Sequence, residues 1–198
     1  MRDEFSVVVV ENQPSGSGRV AAANLKHALP DGQTVLLTPS GPMVVSPLVY
    51  RKLDYDPVKD FVPISLVARF QYGLVSGPST AAASIMEVVA KAKSDPSHAS
   101  YGSPGNGTVP HLLGVMLADA AGVALNHVPF EGVVPASAAL LAGKVGYRLD
   151  VVSEVAELHK SGRARIVAVT GPVRDPQVPE VPTLKEQGVE MEATAFFG

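Results

Sequence analysis

The sequence predicts an α/β fold with a mostly parallel sheet. Three observations carry this reading. Apolar runs rich in β-branched residues alternate with stretches of helical periodicity through most of the 198 residues. Turn signals, drawn from 18 glycines and 17 prolines, separate them. The composition, 46% hydrophobic and 18% charged, suffices for a sizeable core and excludes a charge-rich disordered chain.

In chain order, residues 5–10 read as a buried strand that ends at the turn cluster Asn12-Gln13-Pro14-Ser15-Gly16. Residues 17–29 read as a helix closed by Pro30-Asp31-Gly32, and 34–38 as a second strand ending at Pro39-Ser40-Gly41-Pro42. A proline-rich connector follows, then two strand candidates, 61–68 and 72–76, with no helix between them. Such a break in the alternation can carry the chain from one lobe to another.

Residues 84–94 form a helix opened by a capping box, in which Ser84 and Glu87 each satisfy a free backbone donor of the other. Residues 100–103 are a short strand. Val109, Leu112, Leu113, Met116, Leu117 and Ala120 make the apolar stripe of a helix over 109–121, and Gly122 ends it. Strands at 126–130, 145–149 and 165–170 then alternate with helices at 134–142 and 153–161, and a short helix at 183–187 is opened by Pro182 and closed by Gly188.

The net charge of −3 offers no field for nucleic acid or an anionic membrane, so any anion must be held by local donors. The absence of cysteine excludes disulfides, thiolate metal sites and cysteine nucleophiles. The absence of Trp, with only 6% aromatics, weakens any aromatic stacking platform. No run of 18 apolar residues is present, so no transmembrane helix is expected. The start, Met1-Arg2-Asp3-Glu4-Phe5, does not have the pattern of a signal peptide.

The most informative segment is Ser100-Tyr-Gly-Ser-Pro-Gly-Asn-Gly-Thr-Val-Pro-His111: strand end, glycine-rich loop, helix start. Gly105 and Gly107 permit positive φ, so several N–H groups can converge. Pro110 fits the first helical turn, and the helix N-terminus adds free donors and partial positive charge. Ser103, Asn106 and Thr108 add side-chain donors. Together these make a site for a carboxylate or phosphate without Lys or Arg; the alternative is a glycine turn that only packs helix on strand. A nucleotide P-loop needs a lysine after the glycines, and Gly107 is followed by Thr108; Gly-x-Gly-x-x-Gly is also missing. A small carboxylate is therefore favoured over a nucleotide.

Other loops, at 14–18, at Pro39-Ser40-Gly41, at Phe130-Glu131-Gly132 and at Asp150, also follow strands, where open α/β sheets bind ligands. The catalytic search is negative: there is no His-Glu-x-x-His helix and no Gly-x-Ser-x-Gly elbow. His27, His98, His111, His127 and His159 show no metal-ligand spacing. His111 reads as a brace for the loop, or else as a ligand contact. Asp150 can accept from a ligand amine or hydroxyl, or cap the helix that begins near Ser153. Arg163 and Arg165 read as a charged turn.

These segments in this order resemble the solute-binding receptors of tripartite tricarboxylate transporters, the Bug-type receptors. The resemblance rests on Val8-Val-Val-Glu-Asn-Gln-Pro14, Pro30-Asp-Gly-Gln-Thr-Val-Leu-Leu37, Leu53-Asp-Tyr-Asp-Pro-Val-Lys-Asp-Phe61, Tyr101-Gly-Ser-Pro-Gly-Asn-Gly-Thr108 with Pro110-His111, His127-Val-Pro-Phe-Glu-Gly132, Ile166-Val-Ala-Val-Thr170, Val181-Pro-Thr183 and Phe197-Gly198. It implies a periplasmic-binding-protein fold of type II, two lobes closing like a Venus flytrap on a small carboxylate: a dicarboxylate, tricarboxylate, acidic amino acid or aromatic acid. Residues 1–77 and 171–198 would form a partial first lobe and 78–170 the carboxylate-pinning lobe. The implied ligand contacts are Ser40 and Gly41 from one lobe and Ser103, Gly105, Asn106, Gly107, Thr108, His111, Phe130 and Asp150 from the other. The implied partners are integral-membrane permease subunits, the implied location is periplasmic, and no cofactor, metal, catalytic residue or nucleic acid is expected.

Departures from the family pattern accompany the match. Segments that the family carries before Val7 and after Phe196-Phe197-Gly198 have no counterpart here, which leads to the expectation of one incomplete lobe with exposed apolar surface. Gln13 stands where Arg is usual, Gly146 where Asp is usual, and Phe196 replaces a usual Trp. The rival readings are a truncated, non-functional family fragment, and an enzyme acting on a carboxylate with His111 or Asp150 as base.

Overall fold

The structure, a computed structural model, describes residues 7–13 and 15–198. The chain divides into two compact units, Met1–Pro63 and Ile64–Gly198. The strand over 68–76 and the segment 171–198 both pack within the second unit.

The first unit holds α1 (Arg19–Lys26), entered through a 3-10 turn at Ser15–Gly18, and α2 (Ser46–Val49), which continues a π-helical turn over Gly41–Val45. Its buried residues are few. Ala22 and Tyr55 are buried, and the Tyr55 hydroxyl donates to the Pro42 carbonyl at 2.7 Å. The Arg19 guanidinium lies 3.8 Å over the Tyr50 ring, and Lys26 pairs with Asp60 at 2.9 Å.

The strands expected at 5–10 and 34–38 do not form among the described residues; Phe5 and Ser6 lie outside them. Val7, Val8, Val9 and Val10 are irregular and exposed, as are Val35 and Leu37. The physical reason is pairing. A β-branched run stays extended in a sheet only when a neighbouring strand takes its N–H and C=O groups. The described residues of this unit contain no strand to do so.

The second unit is a six-stranded sheet between helical layers. Its strands are β1 (Ala68–Ser76), β2 (Ser100–Ser103), β3 (Asn126–Pro129), β4 (Tyr147–Val151), β5 (Arg165–Val169) and β6 (Thr194–Phe197). The order is β3-β2-β4-β1-β5, with β6 beside the first half of β1. β2 runs parallel to β3 and β4, whereas β1 is antiparallel to β4, β5 and β6. Five strands thus share one direction and β1 alone is reversed, so the expected mostly parallel sheet is a mixed one. The two strands expected at 61–68 and 72–76 are the single strand β1; residues 61–67 are irregular.

The helices are α3 (Ile85–Ser94), α4 (Val109–Ala120), α5 (Val133–Leu141) and α6 (Val152–Lys160). One face of the sheet packs Ile85, Val88, Leu113 and Leu117 against Tyr72, Tyr101, Tyr147 and Leu149. The other face packs Ala139, Leu140, Val152 and Val155 against Val75, Val145 and Ile166. Alternation along β4 sends Tyr147 and Leu149 to the first face and Arg148 and Asp150 to the opposite one.

α3 opens as its sequence dictates, with one difference. The Ser84 hydroxyl takes the Glu87 amide at 3.2 Å, but the Glu87 carboxylate takes the amide of Ala83 at 2.9 Å rather than that of Ser84. The short helix expected at 183–187 is a 3-10 turn at Lys185–Gln187, ended by Gly188 at φ 83°.

Candidate functional site

The carboxyl ends of β2, β3 and β4 lie side by side; the first two lead into loops carrying predicted site residues, whereas Asp150, expected after its strand, lies within β4, which runs directly into α6. The loop after β2 is tied down from within. The Ser103 side chain is fully buried; its hydroxyl donates to the Gly105 carbonyl at 3.0 Å and accepts the Gly105 amide at 3.2 Å. The Thr108 hydroxyl donates to the same carbonyl at 2.7 Å. Gly107, at φ 72°, donates its amide to His111 Nδ1 at 3.1 Å. A side chain at Gly107 would strain this turn, because L residues rarely adopt that φ.

Two of the loop amides are therefore spent internally, those of Gly105 and Gly107. No described residue accepts the amides of Thr108, Val109 or His111. They sit at the N-terminus of the twelve-residue α4, where the helix dipole adds partial positive charge. The donor set is thus narrower than the sequence implies and displaced toward the helix.

Phe130 closes the neighbouring side. Its amide donates to the Ser103 carbonyl at 2.9 Å, and the Gly132 amide donates to the Pro104 carbonyl at 3.2 Å. A Cβ at Gly102 would stand 3.1 Å from the Phe130 ring, so the glycine there lets the ring lie on β2.

A group that sequence reasoning left scattered is assembled beneath the loop. His127, on β3, faces Tyr101 in the parallel register. His127 Nε2 lies 2.6 Å from Ser103 Oγ, and its ring stacks on His111 at 3.9 Å between centroids and 21° between planes. Burial, with His111 as a second and smaller cause, holds His127 down to about 4. The Tyr101 hydroxyl donates to the His111 carbonyl at 2.9 Å, and burial pushes that phenol up to about 12. The Ser103–His127 pair has the spacing of a nucleophile and its base. Ser103 has no exposed surface, however, and its hydroxyl is already committed to Gly105, so the pair braces the loop.

Asp150 is buried and pairs with the fully buried Arg148, whose guanidinium also bonds the Ser137 hydroxyl on α5. Asp150 Oδ1 accepts the Val151 amide at 2.9 Å. Burial lowers Arg148 to about 10, leaving it charged at neutral pH. Arg148 was absent from the predicted site; its signal is a cation two residues from Asp150 inside an apolar strand, which puts both on one face.

Ser40 and Gly41 belong to the first unit, where buried Ser40 precedes the turn at Gly41–Val45. Gln13, also there, accepts from the Asn24 side chain at 2.7 Å. Two shallow clefts of about 460 and 540 Å³ are lined by no residue of the loop. The first lies around Tyr50 and Tyr55, the second around Ser76, His159 and Arg165. Among the described residues no group of three His, Asp or Glu could hold a metal ion, and no helix is long and apolar enough to cross a membrane.

A family model described as the tripartite tricarboxylate transporter family receptor matches residues 4–198. The chain belongs to this receptor family. A protein encoded in the tcbD-tcbE intergenic region of Pseudomonas sp. (strain P51) is 37% identical over 180 residues, 90% of this chain and 53% of that protein. R. palustris Rpa4515 with adipate superposes with a TM-score of 0.90 at 29% identity, covering 98% of this chain and 66% of that one. MatC from Rhodopseudomonas palustris with bound malate superposes with a TM-score of 0.84 at 28% identity, covering 96% of this chain and 65% of that one. The chain spans about half the length of the curated relatives it matches. The fold is that of the periplasmic binding proteins, represented in part.

Proposed function

We propose that this chain is an extracytoplasmic solute-binding receptor that captures a small carboxylate for a tripartite tricarboxylate transporter. The observation that carries the reading is the set of unspent amides of Thr108, Val109 and His111 at the N-terminus of α4, beside a loop that Ser103, His111 and Thr108 hold rigid. Backbone donors and a helix dipole stabilise an anion without a basic side chain. Adipate in one solved relative and malate in another support the choice of a dicarboxylate.

On this reading residues 78–170 are the pinning lobe, with Ser103 to Thr108, His111 and Phe130 around one ligand carboxylate. Ser40 and Gly41 contribute from the partial first lobe formed by 1–77 and 171–198. Asp150 acts through Arg148 and the end of β4, setting the shape and charge of the floor. The loaded receptor passes its ligand to permease subunits in the membrane, in the periplasm.

Calorimetric titration of the folded chain with malate, adipate, citrate and glutamate tests this. Saturable binding of at least one acid is expected. Thr108→Val should weaken it by about 1 kcal/mol, the worth of the hydroxyl that fixes the Gly105 carbonyl. Heat-free titrations across the panel by a cooperatively folded sample would overturn the assignment for this chain.

A further inference from the structure

The imidazole of His127 sits under the anion loop without reaching its surface donors, and the receptor reading gives it no role. Ser103 Oγ has one proton. It donates to the Gly105 carbonyl and accepts the Gly105 amide, so the 2.6 Å contact is satisfied when His127 Nε2 carries a hydrogen and donates. His111 Nδ1 accepts the Gly107 amide, so a neutral His111 carries its proton on Nε2. The two rings stack at 3.9 Å, a spacing at which two imidazolium ions would repel. Burial and the stacked His111 ring keep His127 neutral, and each ring ties down a different part of the same loop.

We propose that His127 is a positioning residue for the anion loop: it donates to Ser103 and backs His111, thereby fixing His111 as the neutral Nε2–H tautomer that pins Gly107. The consequence is specific. With the Gly105 and Gly107 amides held by Ser103 and His111, the donors the described residues leave for an anion include the helix-terminal amides and the His111 Nε2–H. That donor set suits a carboxylate with one oxygen at the helix end and the other at the imidazole edge. This deepens the carboxylate-receptor reading and rests on it for the ligand, but not for the tautomer.

The test uses the full chain with ¹⁵N-labelled histidine, first without ligand. In the parent protein His111 should show an unprotonated Nδ1 and a protonated Nε2 at pH 7, with a slowly exchanging Gly107 amide. His127→Leu removes donor and stack; His111 should then sample both tautomers, and Gly107 exchange should quicken about tenfold, as expected for a loosened hydrogen bond. His127→Phe keeps a ring beside His111 but loses the donor, and should free Gly105 more than Gly107. His127→Gln keeps a donor for Ser103 and should restore the Gly105 amide; it also serves should His127→Leu not fold. Malate and adipate titrations follow, with affinity about tenfold lower in His127→Leu and closer to the parent in His127→Gln. Unchanged His111 tautomer and Gly107 exchange in folded His127→Leu, or unchanged Gly105 exchange in folded His127→Phe, would overturn the proposal. Failure of the parent to bind either acid would count against the receptor reading alone, since the ligand-free tautomer still decides the role of His127.

Discussion

The two compact units put similar sequence material to different ends. In the second unit, apolar β-branched strands find partners on both sides, and nearly every strand residue of β4 and β5 is buried. In the first, the equally apolar Val7, Val9, Val10 and Leu37 stay irregular with more than half their surface exposed. Apolar β-branched sequence permits a strand; it is the neighbour's hydrogen-bonding edge that makes one. The same contrast runs through the charges. The second unit holds a fully buried Arg148 on Asp150, whereas the first holds Lys26 on Asp60 in partial contact with solvent.

The largest expected effect breaks the buried pair. Arg148→Met leaves the Asp150 carboxylate buried without its cation and should cost about 3–5 kcal/mol, read as a fall in thermal midpoint. Replacing both, Arg148→Met with Asp150→Leu, should recover most of the loss. If the single and double variants lost stability equally, the pair would not be the cause.

Next in size is an overpacking change. A Cβ at Gly114 on α4 would lie 2.0 Å from the Tyr101 ring. Gly114→Ala should therefore cost about 2–3 kcal/mol despite its better helix propensity, because the ring cannot retreat from a packed face. It should also disturb the loop, since the Tyr101 hydroxyl holds the His111 carbonyl. A stabilised Gly114→Ala, by denaturant titration, would contradict this packing.

The pH response separates the units further. The unfolded chain takes up a proton at its histidines near pH 6.5, but folded His127 does so only at about 4. Between those values the unfolded state holds more protons, so stability falls as pH drops from 6.5 towards 4 and is complete above 6.5. Solvent access around a half-buried ring reduces the full linkage, leaving about 1–2 kcal/mol. His127→Phe should flatten that part of the curve.

How much of this was legible in the sequence depended on how local the cause is. The strand at 100–103, the helix beginning at Val109 and the stops at Gly122 and Gly188 follow from turn chemistry and periodicity within a few residues, and all stand in the structure. The glycine loop was recognisable too, from its place between strand and helix. The reversal of β1 and the pairing of β6 were not, because strand direction is settled by partners distant in the chain. The same limit hid His127. Its segment 127–132 carries part of the family resemblance but assigns the ring no role, and only the parallel register of β2 and β3 sets it beside Tyr101 and under Ser103. Arg148 was masked by the apolar residues around it, although its spacing from Asp150 put the pair on one face.

The smallest expected effect comes from the first unit. Lys26 Nζ reaches both Asp60 at 2.9 Å and the Asp54 carbonyl at 3.1 Å, bridging α1 to the connector that follows α2. The pair is partly solvated, so water recovers much of what a deletion removes, and salt screens the attraction. Lys26→Met should cost less than about 1 kcal/mol, with the loss shrinking further in 1 M salt, whereas the Arg148→Met loss should be nearly independent of salt. Measured together, the two variants place each unit's charge pair on a common scale. Equal costs and equal salt responses would mean that the two pairs share one dielectric environment, against the burial that separates them.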